Sequence, residues 1–333
     1  MDEMYRNNKV LWVHNNPSRS SGTFMWDIFD RLKREEGGLE LEELALPLMR
    51  YHGAFRDAVR KVRAAPDAGV VHAQYGALVS VMALLRRDCA HIVSLRGSDS
   101  YWRFGTLRNR VGGLARVLMS WIGCLGSDAI IVMSNRMTSR VRRWPGLARR
   151  PILCIPDPAG DIFWPPAALE ISRELLSQPF VVAIASLQHD NPIKRTWLVS
   201  SAADLCQRAG MSLELKVLSG ISREQVRSEL SDVHSIALAS THEGWPNIIK
   251  EGLLLGANFV ATSVGDLPEY AGKGSGNRIV APHPIEFACA WIDQIAAKVL
   301  SPHGIAESLA AFHPDVVALK MKLLYLALVE EEI

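Results

Sequence analysis

Glu243 and Glu251 stand eight residues apart in THEGWPNIIKEGLLLGANFVATSVGDLPEY, residues 241–270, around a Gly-x-Pro turn in an otherwise apolar neighbourhood. The turn predicts a helix starting at Pro246 or Asn247, because proline at a first helical position lacks only an amide that would have had no intrahelical partner. The open amides of Asn247, Ile248 and Ile249, backed by the helix dipole, form a seat for a phosphate, and Gly244 allows close approach of the backbone. Glu251, one turn farther in, would repel that phosphate and is better suited to accept hydrogen bonds from neutral hydroxyls such as a ribose diol. Glu243, ahead of the turn, suits the hydroxyls of a sugar. Carboxylate, amides and carboxylate thus fit sugar, phosphate and ribose in that order. The competing reading is a helix-flanking charge and a solvated helix residue around an ordinary turn. A second loop of the same kind, VGDLPEY with Glu269, follows the next apolar run and weighs against it.

Positioning these groups requires strands that deliver loops to one edge. Lys9 to His14 reads as a short apolar strand followed by a polar turn and the helical spacing of FMWDIFDRLKRE. LELEELAL, GVVHAQ, HIVSLRG and AIIVMS read as further strands, separated by helical segments at 59–65, 78–86 and 107–124. Short, largely non-alternating apolar strands between helices are the pattern of a parallel sheet covered on both faces. ILCIPDPAGDIFWPP, residues 152–166, interrupts the pattern. Alternation restarts with PFVVAIAS and continues through LELKVLS, SIALAS and NFVATS, with helices at 196–209, 223–230 and 247–255. The boundaries expected are 1–165, 166–310 and a terminal helix, 311–333, packing back toward the first domain. The fold class expected is α/β, two Rossmann-like doubly wound domains whose strand ends face a central cleft.

Composition narrows the function. The chain has 333 residues, 48% of them hydrophobic, and a net charge of +2, which suits two globular lobes and argues against a nucleic-acid binder. Arginines nevertheless cluster at 56–63, 103–110 and 140–150. Arg56, Arg60 and Arg63 recur at helical spacing, and the stretch 103–116 adjoins Leu107, Val111 and Leu114, so peripheral contact with an anionic membrane is weighed equally against a solvated basic face. Five cysteines without a C-x-x-C pair, and no signal peptide, read as a reducing, cytoplasmic chain. No uninterrupted apolar run reaches the roughly 20 residues that cross a bilayer; 117–134 comes closest, but serine, glycine and Asp128 divide it. No H-E-x-x-H or other close ligand cluster suggests a metal site, and no G-x-G-x-x-G follows the first strand as a dehydrogenase would require.

E-G-W-P-N-I-I-K-E-G, followed by a strand and V-G-D-L-P-E, resembles the signature of the retaining glycosyltransferases of family 4, which have the two-lobed GT-B fold. The resemblance is specific over 237–270 and weaker, but in order, along most of the chain. It implies a carboxyl lobe that binds a UDP- or GDP-sugar as co-substrate, with no tightly bound cofactor and no metal. Glu243 then lies by the transferred sugar and Glu251 holds the ribose. Gly244, Trp245, Pro246, Asn247, Ile248, Val264 and Gly265 line the donor, with Asp266 in the slot of a family glycine. Lys194 in ASLQHDNPIKRTW fits the family lysine that neutralises the leaving diphosphate. Ser186 stands where the family has arginine, and Arg195 is the candidate replacement.

In the amino lobe, Ser21 and Gly22 occupy the slots of the family's glycine pair, beside donor and acceptor. HAQYG resembles an H-x-H segment, with His72 kept as a catalytic candidate and Gln74 in the second place. LRGSDSYW resembles H-G-x-D, with Arg96 for the histidine and Asp99 retained. Arginine cannot serve as a neutral base, so Arg96 shifts the expected acceptor toward an anion. The resemblance implies metal-independent transfer, hexosyl transfer foremost, to a glycan, lipid-linked or small-molecule hydroxyl in polysaccharide, glycolipid or natural-product assembly, in the cytoplasm or at the inner face of the plasma membrane. The alternatives are a GT-B nucleotide-sugar epimerase and a noncatalytic glycan- or nucleotide-binding protein.

Overall fold

The computed structural model describes residues 8–16, 23–34, 39–47, 53–97, 99–100, 107–159, 161, 164, 172–185, 193–241, 243, 246–265, 267–272, 276–300 and 307–330. The chain divides into two compact units, Met1–Gly160 with Leu324–Ile333, and Asp161–Leu323. Each is a doubly wound parallel sheet, and the α/β class expected from the strand–helix alternation is what the chain has.

The first unit carries strands Lys9–His14 (β1), Glu40–Ala45 (β2), Val70–Ala73 (β3), Ala90–Leu95 (β4), Ala129–Val132 (β5) and Ile152–Cys154 (β6), in the spatial order β2-β1-β3-β4-β5-β6. Its helices are Thr23–Arg34 (α1), Ala54–Ala64 (α2), Ala77–Ala83 (α3), Leu107–Leu125 (α4) and Asn135–Val141 (α5). The inner strands β3 and β5 are buried at every position, as a sheet covered on both faces demands. At the edge, β2 sets Leu41 and Leu44, on opposite faces, among Glu40, Glu42 and Glu43, whose charges protect an open edge. Ala58, Val62, Val79, Met82, Cys124 and Met137 join one core cluster, so α2, α3, α4 and α5 lie on the same face of the sheet.

The second unit contains Ser172–Ser177 (α6), Phe180–Ile184 (β7), Thr196–Arg208 (α7), Leu213–Val217 (β8), Arg223–Leu230 (α8), Ser235–Leu238 (β9), Asn247–Leu254 (α9), Asn258–Thr262 (β10), Leu267–Tyr270 (α10), Arg278–Val280 (β11) and Pro284–Leu300 (α11). A 3₁₀ turn at Glu307–Phe312 precedes Pro314–Glu330 (α12), the helix in which the division at Leu323 falls. The sheet runs β11-β10-β9-β7-β8. Chain order reverses between β7 and β9: the path from β7 leads outward to β8 and returns across β7 to β9. That reversal opens a crevice at the strands' carboxyl ends, the usual ligand position in such sheets.

Short elements escaped the sequence reading. β6 lies inside the proline-rich stretch and α5 directly after β5, where Ser134 Oγ caps the helix by accepting from the Met137 amide at 3.3 Å. Among the described residues no helix is long and apolar enough to cross a membrane.

Candidate functional site

The loops leaving β7 and β9, on the two sides of the crevice, bring together residues 49 apart in sequence: Lys194 Nζ lies 2.5 Å from Glu243 Oε1. The Lys194 side chain is 41% exposed and that of Glu243 18%, so the pair sits at the surface of the unit with its carboxylate sunk. Ser240, fully buried at the end of β9, donates its hydroxyl to the same Glu243 oxygen at 2.8 Å. Thr262, at the end of β10, donates to the Ser240 carbonyl at 2.6 Å. Neither Ser240 nor Thr262 was singled out from sequence. Their only signal is a small hydroxyl residue closing each apolar strand, SIALAS and NFVAT.

Arg195, next to the lysine, bonds to the backbone of the glutamate loop. Its Nε donates to the Ala239 carbonyl at 2.7 Å and a terminal nitrogen to the Ser240 carbonyl at 3.0 Å. The Thr241 amide also donates across this junction, to the Ile193 carbonyl at 2.8 Å. The residue is held in the left-handed region, φ 46°, at the start of α7, a conformation that costs an ordinary side chain energy and persists where surrounding bonds fix it. Burial lowers its pKa from the ordinary arginine value. Arg195 thus ties the lysine loop to the glutamate loop through backbone carbonyls.

Pro246 precedes α9 in an extended conformation, φ −62° and ψ 121°, and its side chain provides no capping hydrogen bond. Pro246 is buried, Asn247 exposed and Ile248 half-buried. Asn247, Ile248 and Ile249 thus form the first turn of this helix. Glu251 is half-buried and lines a recess of about 480 Å³ between α8 and α9 with Val226, Arg227, Leu230, Leu254 and Leu255. The two glutamates have separate surroundings, Glu243 on Lys194 and Glu251 beside α8. Gly252 explains how closely α9 lies on the sheet: a Cβ there would come within 1.8 Å of Ile236 Cδ1. Val264 is buried, Gly265 takes φ 50°, and Glu269 is exposed on α10. Ser21, Gly22, Ser186, Gly244, Trp245 and Asp266 lie outside the described residues.

In the first unit the remaining candidates form two networks. His72 is fully buried, with Nδ1 2.7 Å from the Tyr325 hydroxyl and Nε2 2.8 Å from Ser94 Oγ, and Trp12 packs edge-on against the ring. Burial, reinforced by the Arg96 charge, holds its pKa well below the ordinary 6.5. Both ring nitrogens are occupied inside the core. Asp99, also fully buried, accepts from the amides of Gly97 at 2.8 Å, Arg96 at 3.0 Å and Gly76 at 3.0 Å. It shapes the loop after β4 and anchors the approach to α3.

Arg96 donates from Nε to the Gln74 carbonyl at 2.9 Å and from a terminal nitrogen to Gln74 Oε1 at 3.2 Å, and it pairs closely with Asp157. Burial pushes the Asp157 carboxyl up, against the downward pull of Arg96. Asp157, in the proline-rich stretch, was missed from sequence. Because Arg96 already carries a carboxylate partner, its presence no longer argues for an anionic acceptor. Gln74 is 2% exposed, and its side-chain NH₂ makes no hydrogen bond among the described residues. Among those residues no three His, Cys, Asp or Glu side chains gather as a metal site.

No protein-family model matches the chain, and no curated protein matches it. Among solved structures, sucrose-phosphate synthase from Thermosynechococcus elongatus is similar at 14% identity, with 96% of this chain and 98% of that chain covered and a TM-score of 0.41. HepE of Anabaena in complex with UDP-glucose aligns at 16% identity over 96% of this chain and 99% of that one, TM-score 0.36. A glycosyltransferase from Rickettsia africae ESF-5 aligns at 13% identity over 98% and 100%, TM-score 0.35. Likenesses this distant leave the reading of the site to its residues.

Proposed function

We propose that this chain is a retaining glycosyltransferase of the GT-B type, moving a sugar, a hexose foremost, from a UDP- or GDP-linked donor to a hydroxyl acceptor. The observation that carries the reading is the Lys194–Glu243 pair on the two loops that flank the β7/β9 crevice, beside the start of α9. A cation and a sunken carboxylate next to helix amides match the needs of a sugar diphosphate: positive charge and amides for the phosphates, an acceptor for the sugar hydroxyls. Glu251, in its separate recess, takes the ribose diol, and Val264 and Gly265 add backbone beside the sugar.

In the reaction the acceptor oxygen bonds to the anomeric carbon on the face from which the diphosphate leaves. The bond from that carbon to the diphosphate oxygen breaks with its electron pair, and the acceptor proton passes to the departing oxygen. The products are a glycoside of unchanged anomeric configuration and a nucleoside diphosphate. Lys194 has three N–H donors, so it can keep Glu243 while turning another toward the diphosphate, whose negative charge grows as the bond breaks. Asp99 and Asp157 hold Arg96 and Gln74 in place near the acceptor, which need not be anionic. This route asks no metal to neutralise the leaving group.

Incubation with radiolabelled UDP- and GDP-sugars and a panel of hydroxyl acceptors tests the proposal. Labelled product that requires both partners, with retained anomeric configuration by NMR, is expected. Absence of binding, hydrolysis and transfer with every donor would remove the transferase reading.

A further inference from the structure

Helix α4 is built inside out. Against α3 it buries small residues: a Cβ on Gly123 would meet Ser80 Oγ at 2.2 Å, and Ser120 Oγ accepts from the Ala77 amide at 2.7 Å. Its outward side carries Val111, Leu114, Leu118 and Ile122, exposed by 64%, 52%, 50% and 43%. Spacings of three, four and four place the four on one stripe. Between 111 and 125 the only charged residue is Arg116, and it is half-buried. A helix covering a soluble sheet normally turns its polar side to water, and here the stripe facing water is aliphatic.

A basic helix shares this face of the unit. Ala54, Ala58 and Val62 of α2 are buried against the same core as α4, which leaves Phe55, Arg56, Arg60, Lys61 and Arg63 outward. Asp57 is the sole acidic residue of α2, and its 3.2 Å pair with Arg60 is exposed and therefore weak.

We infer that this helical face of the first unit docks on an anionic lipid bilayer, with the α4 stripe at the boundary between acyl chains and headgroups and the α2 arginines on the phosphates. Aliphatic side chains gain from leaving water at that depth, and each arginine adds attraction to an anionic surface. Charge selects this occupant over a second copy of the chain, because a self-contact along the stripe would bring like-charged arginines together. The inference goes beyond the transfer reaction and is read without turnover.

The experiment is cosedimentation with phosphatidylcholine vesicles that contain or lack phosphatidylglycerol, at low and high salt, with sedimentation of the protein alone as a companion. Wild type should pellet with anionic vesicles at low salt and be released as salt screens the contact. Leu114→Ser/Leu118→Ser and, separately, Arg56→Ala/Arg63→Ala should each weaken partitioning by roughly tenfold or more, with unchanged melting because all four side chains point outward. No pelleting of wild type at low salt, equal pelleting with neutral vesicles, or full binding by both variants would overturn the inference. So would a concentration-dependent dimer abolished by Leu114→Ser/Leu118→Ser without any vesicle binding, which would assign the stripe to a second copy.

Discussion

At the scale of single residues, two neighbouring cations have different partners. Lys194 ends on a carboxylate at the crevice, whereas Arg195 ends on two backbone carbonyls. Lys194→Met should lower turnover by about 10²- to 10³-fold, the range for losing one preorganised donor at developing charge, with a smaller loss of donor affinity. Arg195→Met should lower melting temperature and turnover together, and Arg195→Lys should not rescue either, since an ammonium cannot reproduce the fork that reaches both carbonyls. Thermal melts beside steady-state rates separate the two residues. Lys194 and Glu243 are singled out by the family motif they fit, with Arg195 as a candidate for a missing arginine. The bonds of Arg195 are not legible in the sequence, since its partners are carbonyls, which every residue has. Glu251→Ala should weaken bare nucleoside diphosphate by about 1.5 to 3 kcal/mol, while Glu243→Ala should mainly harm turnover of intact donor. Calorimetry with UDP and GDP on both variants checks the split, and equal weakening would contradict it.

At the scale of elements, the position of α9 depends on a glycine. Gly252→Ala would drive a methyl into Ile236 Cδ1, at a cost of about 1 to 3 kcal/mol for overpacking. Ile236→Val removes that carbon, so Gly252→Ala/Ile236→Val should recover part of the loss. Denaturant melts of the four proteins give the coupling, and purely additive losses would show that the contact does not set the helix position. Most strands and helices were legible because a buried parallel strand such as VVHA or AIIV is a short apolar run between turn residues. The order of strands was not: nothing in PFVVAIAS or SIALAS says that β7 and β9 are neighbours with β8 outside. Yet that adjacency is what joins Lys194 to Glu243. The short elements β6 and α5 were missed because three or seven residues carry too little periodicity beside the prolines and arginines around them.

At the scale of the whole chain, four buried or half-buried histidines couple stability to acid pH. His72, His91, His234 and His283 all have pKa values lowered from the ordinary 6.5, chiefly by burial. From about pH 7.5 upward, a unit above the ordinary 6.5, each is essentially neutral both folded and unfolded and contributes no pH dependence. Below it the unfolded chain binds protons that the folded chain refuses, so stability falls as pH falls toward the lowered values. Denaturant melts from pH 8 to 5 should show a plateau and then a decline, and His72→Gln should make the decline shallower whatever its effect at pH 8. An unchanged slope would mean that His72 is not held neutral in the core. The sequence placed His72 correctly at the end of an inner strand. It could not show that Tyr325, 253 residues away, closes one side of the ring.

The central claim is that the Lys194–Glu243 crevice cleaves a sugar diphosphate, and release of nucleoside diphosphate at saturating donor by wild type and Lys194→Met side by side tests it most directly. The account predicts donor-dependent release by wild type, a rate lower by about 10²-fold or more in the variant, and matching thermal melts for the two proteins. Equal rates, with both proteins folded and the donor bound, would contradict it.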